Sequence, residues 1–548
     1  GQFGDDAAAR EPVPRRGLAD ARRQAGAVRP NARAPLPRNR EVERGVRGGE
    51  TGRDGGGERM TVVSFNKQII KMIAFIVSVM ALCRLTHDII LPVLVVLGVW
   101  YALAGKIGWA LVYFVLFPFL IMVNPGLLPK DTLWSGWSLR MGPFLIGLAL
   151  TLVSFSRPGC HRLPLGGLFP FLLIAFVSSM QGWAPQVSYL KMLNFIVFLL
   201  GIWFGTQNLQ QRPNDLAMLR AFFLALVAVV VLGSICLIPF PSIAYLTTLR
   251  YTIAQYGTEY ADAFFQDIKA SGSHTLFSGL LNHSQALAPI LACCFTWTAL
   301  DMLFIERRFA KFHILLLVCA LPLLYMTRSR VALCSLFTAL VAVYFYASRK
   351  LALPSDMYRR MRHGMMGFLG LIVLAAAVAE IRSGAITEWV RKTNDVAGDT
   401  RTLGEAFTGS RQGLINESMR DFKRNIWLGS GFQVSEGVAQ LARQNEGFIL
   451  SAPIEKGLLP LMVLGETGIV GAICFLGFLM SFFVACARRR YYATISLFLV
   501  YLATNMGEAS FFSPGGQGGI AWMICVAGGF LIDTCSIYGT RFVLQTKG

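Results

Sequence analysis

The sequence predicts an all-α, polytopic membrane protein with about 12–14 transmembrane helices and one large, partly helical outer loop late in the chain. Of the 548 residues, 54% are hydrophobic and only 15% are charged. Soluble domains carry about 25% charged residues. The apolar residues also form many runs close to the roughly 20 residues that one bilayer crossing requires. Together these two observations predict a multi-pass membrane protein.

Residues 1–59 differ in composition from the rest of the chain. They hold 13 arginines, nine acidic residues, no lysine and one aromatic residue, Phe3. Such a segment buries too little apolar surface to order itself, so we expect a disordered Arg-rich extension. It could be a basic arm that binds anionic lipid. We favour a non-native extension, because the residues after Met60 read as the start of a first span, and we exclude it from the fold.

Fourteen apolar segments follow Met60, and several are short, so twelve to fourteen crossings are expected. The segments lie near 68–83, 88–104, 107–123, 141–156, 164–180, 190–206, 217–239, 283–304, 310–326, 331–347, 364–380, 458–486, 491–506 and 518–537. The expected domains are transmembrane helices at 60–380 with a smaller outer loop at 240–282, a large outer loop at 381–457, and C-terminal helices at 458–548.

Basic residues are distributed unequally between the two sets of loops. If the N-terminus is cytoplasmic, 20 lysines and arginines, including Arg220, fall on the cytoplasmic side. Eight fall on the outer side when the large loop is left out of the count. Positive charge concentrates in cytoplasmic loops, so we expect both termini in the cytoplasm. The net charge of +20 then reflects topology, and no nucleic-acid-binding motif accompanies it.

The 11 cysteines lie mostly inside apolar runs, and the loop at 381–457 has none. We expect most of them to be small buried residues. Their spacing predicts neither a disulfide framework nor a metal site, and no cofactor is expected.

Two arginines stand in the short stretch 326–331, which joins two apolar spans on the side where arginine should be rare. Charges near membrane depth are costly and usually functional. A guanidinium grips phosphate through a bidentate fork. Arg330 is therefore a candidate catalytic residue and Arg328 a candidate substrate-binding residue. Snorkelling to the interface is the structural alternative.

Four apolar residues of the large loop recur at helical spacing: Ile415, Met419, Phe422 and Ile426. Arg411 falls on the same stripe, so we predict that it points toward the bundle as a catalytic residue. A buried arginine needs a partner, which a lipid diphosphate or a salt bridge within the loop would provide. Arg420 and Arg424 fall on the opposite face and are expected to be solvated. The glycines in 427–432 predict a left-handed cap.

The large loop returns to the membrane at 454–457. Glu455 is a candidate general base. A carboxylate that is shielded from water at the outer end of a span holds a proton more tightly and can exchange it near neutral pH. Lys456 is a candidate substrate-binding residue. The alternative is an interfacial pair of these two residues without a catalytic role. Gly468 and Gly471 are predicted to allow close helix packing.

The smaller outer loop holds several aromatic residues and Arg250, a candidate substrate-binding residue. Aromatic residues and a few charges suit sugar stacking, and they equally suit an interfacial belt. His283 follows where the chain re-enters the membrane. It is a candidate substrate-binding residue and proton carrier. A hydrogen-bonded structural histidine is the alternative that we favour.

These elements, in this order, resemble the O-antigen ligase and O-antigen polymerase superfamily, whose members are multi-span inner-membrane proteins with one large periplasmic loop. The resembling stretches are 279–283 (GLLNH), 329–330 (SR), 409–411 (GSR), 427–432 (WLGSGF) and 466–471 (ETGIVG). The span layout extends the resemblance over most of 60–540. No single motif is specific, and the resemblance rests on their order together with the topology.

The resemblance implies a metal-independent, inverting glycosyltransferase at the periplasmic face of the bacterial inner membrane. Its donor would be a glycan on undecaprenyl diphosphate, and its acceptor a hydroxyl of a glycan or lipid. Arg330 and Arg411 would hold the diphosphate as leaving group. Membrane lipids and other polysaccharide-assembly proteins are the remaining expected partners, and nucleic acid is not.

One departure from the family pattern concerns the base. Ligases of this family place a histidine and a polar residue shortly before the Gly-x-x-Gly, where this chain reads EKGL at 455–458. We therefore favour a polymerase, or a ligase for another polysaccharide. A transporter or flippase would predict functional charges near mid-membrane within broken spans, and an internal repeat. A non-enzymatic assembly subunit would predict that Arg330 and Arg411 tolerate lysine.

Overall fold

The structure is a computed structural model. It describes residues 62–128, 133–155, 163–207, 209–244, 277–306, 310–327, 329, 331–332, 334–341, 363, 412–434, 458–507 and 509–545. Within these ranges all regular structure is helical, and the one β-type contact is an isolated bridge between Val123 and Leu281.

The helices follow the apolar runs of the sequence. They are α1 (Val62–Leu85), α2 (Ile90–Leu103), α3 (Ile107–Met122), α4 (Leu133–Phe155), α5 (Phe169–Met180), α6 (Pro185–Gln207), α7 (Pro213–Cys236), α8 (Ser284–Asp301), α9 (Lys311–Met326), α10 (Gln412–Arg424), α11 (Leu459–Arg489), α12 (Tyr492–Asn505), α13 (Gly516–Trp522) and α14 (Gly528–Gln545). A π-helical turn follows α8 at Met302–Glu306, and another joins α13 to α14 at Met523–Ala527.

In the part of the chain that the structure describes, seven helical stretches are long and apolar enough to cross a membrane. They are Phe65–Leu85, Trp134–Phe155, Pro185–Gln207, Pro213–Cys236, Ser284–Glu306, Leu459–Arg489 and Gly516–Ser536. Five shorter apolar helices of 10–17 residues accompany them. The predicted class, an all-helical polytopic membrane protein, is confirmed for the described chain. The larger span count stays a prediction, since the segment 364–380 lies outside the described residues.

Hydrogen bonds and packing contacts bring several connecting segments together at one end of the bundle. The Asn282 N–H donates to the Met122 carbonyl at 2.8 Å, and the Gln433 side chain donates to the Phe512 carbonyl. Ile121 and Met122 also contact the glycines at 515–516. We call this the loop-bearing end. The side of the membrane that it faces stays a prediction from the basic residues.

A buried asparagine ties three of these connections together. Asn124 is fully buried, and its side-chain amide donates to the carbonyls of Ile243 at 2.9 Å and Gly279 at 3.0 Å. Its side-chain oxygen accepts from the Gly126 N–H at 2.9 Å. Irregular backbone next to a bilayer must find its hydrogen bonds inside the protein. Asn124 supplies three of them at the loop-bearing end.

An aromatic cluster forms the core beneath that end. Besides the adjacent Phe511, four rings from other segments lie at centroid distances of 5.0–5.7 Å from the buried ring of Phe512: those of Phe171, Phe195, Phe432 and Phe475. They come from α5, α6, the segment after α10, and α11. Such pairs stabilise a core beyond the effect of their buried area. The cluster therefore joins the segment after α10 to the membrane-spanning helices.

Candidate functional site

Helix α11 is broken near the loop-bearing end. Gly468 has φ 64° and ψ −166°, a non-helical conformation inside the helix. Glycine tolerates this backbone region because it has no Cβ. A break leaves carbonyls before it and amides after it without helical partners, and a membrane offers no water to replace them.

The segment 425–432 lies in this break and supplies partners on both sides of it. Two of its amides donate to carbonyls before the break: Ser430 to Gly465 at 2.9 Å and Gly431 to Glu466 at 3.1 Å. Two of its carbonyls accept from amides after the break: Ile426 from Ile469 at 2.9 Å and Trp427 from Val470 at 3.3 Å. The segment therefore replaces the hydrogen bonds that α11 loses.

Two glycines permit this close approach of backbone to backbone. A Cβ on Gly429, which has φ +72°, would lie 2.3 Å from the Glu466 carbonyl carbon. A Cβ on Gly468 would lie 2.3 Å from the Trp427 carbonyl carbon. The left-handed glycine predicted after α10 is confirmed at Gly429. The prediction that Gly468 serves helix–helix packing was wrong, because the partner at that glycine is an irregular segment.

Helix α10 packs on α11 through a face that the sequence did not predict. Among residues 415–424 of this helix, the buried ones are Ser418 and Asp421. The Ser418 carbonyl lies 2.9 Å from where a Cβ on Gly465 would be. The predicted apolar stripe is only half-buried, and Ile426 is exposed. At about 100° per residue the buried face is rotated roughly a quarter turn from that stripe. The small polar side chains are buried in place of the apolar stripe because they fit against a glycine of α11.

The two arginines predicted to be solvated are exposed, as expected. Arg424 also stacks on an aromatic ring, with its guanidinium carbon 3.7 Å from the centroid of Trp183. The Trp183 indole N–H donates to Asp421 at 3.4 Å. Arg420 and Arg424 therefore lie on exposed surface, and Arg424 helps to dock α10 on the turn between α5 and α6.

Helices α5 and α6 hold the segment from the other side. The Ser178 hydroxyl donates to the Glu466 carbonyl at 2.5 Å and accepts from the Gly431 N–H at 3.1 Å. The Ser179 hydroxyl accepts from the Phe432 N–H at 3.2 Å. The sequence did not single out these serines. Each lies in an apolar span where serine reads as an ordinary small residue.

Besides Asp421, two further charged residues of the described chain lie buried around the break. Glu466 is 1% exposed and Lys191 is 5% exposed, and the Lys191 ammonium donates to the Gln433 carbonyl at 3.1 Å. Charged groups inside membrane helices are costly and commonly functional. The sequence did carry this signal, because both residues stand within apolar spans. From the sequence, Glu466 was noted only as part of the stretch 466–471, and Lys191 was noted only in the count of basic residues on the two sides of the membrane.

One of the seven predicted site residues lies in the described chain, and that residue is His283. The others lie outside it: Glu455, Arg411, Arg330, Arg328, Lys456 and Arg250. His283 is the N-cap of α8, and its Nδ1 accepts from the Gln285 N–H at 3.0 Å. The favoured alternative, a hydrogen-bonded structural histidine, agrees with this geometry. The neutral ring then carries its proton on Nε2.

Replacing His283 separates capping from proton transfer. We expect His283→Ala to lower the free energy of unfolding by about 1 kcal/mol, the usual effect of losing an N-cap acceptor. His283→Asn keeps a cap acceptor, so it should unfold like the wild type in a thermal denaturation series. If His283→Asn is stable but cannot replace the wild-type chain in cells, the histidine has a role beyond capping and our structural interpretation is incorrect.

A second group of buried charges lies where α7, α8 and α9 meet. Arg220 makes two bonds of 2.9 Å to Asp301 and one of 2.6 Å to Glu306. His313 Nε2 lies 2.8 Å from Oδ2 of the same carboxylate, an oxygen that also accepts from Arg220. Arg220 had been counted with the cytoplasmic loops. It instead lies inside α7, with its guanidinium 4.5 Å from the ring centroid of Phe65.

Two carboxylates, an ammonium and several serine side chains therefore lie buried around the break, between α5, α6, α10 and α11. Such a set can hold a polar or charged headgroup, or position neighbouring loop residues. Among the described residues, no group of three or more His, Cys, Asp or Glu side chains is placed to hold a metal ion. Compared with known proteins, the chain matches no family model, and no curated protein sequence is significantly similar to it.

Proposed function

We propose that this chain is a glycosyltransferase that moves a glycan from undecaprenyl diphosphate to an acceptor hydroxyl at the periplasmic face of the bacterial inner membrane. The reaction would serve O-antigen or exopolysaccharide assembly, with polymerase favoured over ligase. The observation that supports this most is the meeting of two motifs that carry the family resemblance. Stretches 427–432 and 466–471 are hydrogen-bonded to each other at the break in α11.

The depth of the break also supports a site at the membrane surface. Residues 469–489 of α11 form an unbroken stretch of 21 residues, which spans about 31 Å at 1.5 Å per residue. The hydrocarbon core is about 30 Å thick. Arg488, Arg489 and Arg490 mark the other interface. Gly468 then lies at the boundary where the diphosphate of a lipid-linked donor would lie.

The proposed reaction is an inverting substitution at the anomeric carbon. The acceptor oxygen attacks from the face opposite the diphosphate, the anomeric C–O bond breaks, and undecaprenyl diphosphate leaves with the bonding electrons. Glu455 takes the acceptor proton, and Arg330 and Arg411 neutralise the leaving group. Arg328, Lys456, Arg250 and His283 would contact the substrates. These roles come from sequence reasoning and from the resemblance.

A lipid or glycan transporter, such as a flippase, is the second candidate, and two observations favour it. Transporters commonly build their sites from discontinuous helices and buried charges. This chain has a discontinuous α11 and the buried pair Arg220–Asp301. Transport predicts a binding site near the midplane of the bilayer, however. The break lies about one hydrocarbon thickness from Arg489, so it favours chemistry at the surface.

Glycan analysis of a deletion strain distinguishes these functions. Loss of a polymerase leaves single-repeat caps on the surface acceptor. Loss of a ligase leaves long polymer on the undecaprenyl carrier, and loss of a flippase traps single repeats on the cytoplasmic side. We expect the single-repeat result, restored by the wild-type chain. Normal glycans of normal length would contradict the enzyme proposal, and trapped single repeats would establish the transporter.

Lysine substitutions test the phosphate-binding role. We expect Arg411→Lys to slow transfer by about 100-fold, because lysine lacks the bidentate fork and one electrostatic donor contributes about that much. Arg420→Lys, at an exposed position of α10, is the matched control and should retain wild-type activity. Transfer from undecaprenyl-diphosphate glycan in proteoliposomes is the measurement. Equal rates for the two variants would remove Arg411 from the site.

A further inference from the structure

The segment that fills the break also presents two large apolar side chains outward. Ile426 is 47% exposed and Trp427 is 66% exposed. Their carbonyls accept from the Ile469 and Val470 amides, so their height along α11 is fixed by backbone hydrogen bonds. Two adjacent exposed apolar side chains held in fixed positions form a small apolar patch, and such a patch indicates contact with lipid or with protein.

The outward face of α11 indicates which partner this is. Four of its exposed apolar residues recur at intervals of three or four: Ile473, Leu476, Met480 and Val484. A Cβ on Gly477, between them, would meet nothing within 4 Å. In a helix long and apolar enough to cross the membrane, such a face is in contact with lipid. Because the Trp427 carbonyl accepts from the Val470 amide, one turn before Ile473, the exposed Trp427 lies next to the end of this face.

We propose that Ile426 and Trp427 contact bilayer lipid at the membrane interface and anchor α10 on the membrane surface. Three observations support lipid as the occupant. The two residues are exposed and bonded to α11 next to the end of a lipid-facing stripe. The length of α11 places them at the interface, and tryptophan is enriched at that depth. The half-buried apolar stripe of α10 and its exposed Arg420, Lys423 and Arg424 also suit an interfacial helix.

The anchor would set the depth of the break before any substrate binds. Segment 425–432 is bonded to both halves of α11, so a lipid contact at Trp427 holds Glu466 and Lys191 at a constant distance from the headgroups. This inference needs the chain to span a membrane, and it does not depend on the glycosyltransferase proposal.

Spin-label accessibility in lipid nanodiscs tests the anchor. The full chain, with its 11 cysteines replaced by alanine or serine, would carry one label at Trp427→Cys. Control labels at Ile473→Cys and Lys423→Cys report lipid and water. We expect the Trp427 label to collide with oxygen far more than with a water-soluble nickel chelate, at a shallower depth than the Ile473 label. A label as accessible to nickel as that at Lys423 would overturn the proposal, and so would protection from both reagents.

A photo-crosslinker avoids the cysteine replacements if that chain does not fold. Benzoylphenylalanine at position 427, with all native cysteines present, should yield adducts with the mass of one phospholipid. The same group at 423 is the control and should yield few. Crosslinks from position 427 to another part of this chain, or to a second copy, would show that protein covers the tryptophan and would overturn the lipid assignment.

Discussion

Gly468→Ala is expected to abolish the native packing of the loop-bearing end. The new Cβ would lie 2.3 Å from both the carbonyl carbon and the oxygen of Trp427, and these are backbone atoms that cannot rotate away. The backbone conformation there, φ 64° and ψ −166°, is also strained for any residue with a side chain. We expect a loss of about 3 kcal/mol or more in unfolding free energy. Unfolding of the detergent-solubilised protein with SDS would measure it.

Gly477→Ala is the matched control, because it lies in the same helix and its Cβ would meet nothing within 4 Å. Alanine is the better helix former, so this variant should be stabilised by about 0.5–1 kcal/mol. The two substitutions are chemically identical and should move stability in opposite directions. If Gly468→Ala unfolds like Gly477→Ala, the break in α11 does not exist in the native protein.

Arg220→Met is expected to have the second largest effect. It removes three hydrogen bonds and leaves Asp301, whose side chain is fully buried, facing Glu306 without the guanidinium. Removing one partner of a buried ion pair typically costs about 3–5 kcal/mol. We therefore expect poor yield of folded protein, and a large drop in the midpoint of thermal unfolding for the fraction that folds.

Two further variants test the cause of that loss. Arg220→Met combined with Asp301→Asn removes both charges of the pair and keeps a polar partner for His313 at position 301, so it should be more stable than Arg220→Met alone. Asp215→Asn breaks the half-exposed pair with Arg212, 3.6 Å apart, and should change stability by less than about 1 kcal/mol. If the double variant is less stable than the single one, the cluster contributes through packing and not through charge pairing.

Part of the candidate site could be predicted from sequence. Stretches 427–432 and 466–471 were both singled out by the resemblance, and a left-handed glycine was expected after α10, as found at Gly429. The contact between the two stretches was not predicted. The face of α10 was not predictable from periodicity. Apolar spacing located the Ile415 stripe, yet Ser418 and Asp421 are buried because a glycine on another helix admits them. The helical spacing that includes Ile426 is equally consistent with an apolar side chain exposed to lipid and with one buried in protein.

The sequence by itself determined the membrane class and the positions of most spans. Hydropathy is a local property, and a bilayer forces every apolar run into a structure that satisfies its own backbone. Only the tertiary structure decided which backbone fills the break at Gly468 and which charges are paired. The Ser178–Glu466 bond joins residues 288 positions apart, and the Arg220–Asp301 pair joins residues 81 apart. Such contacts depend on how distant helices pack, because the cost of a buried charge or an open helix end is offset only by partners that packing brings near.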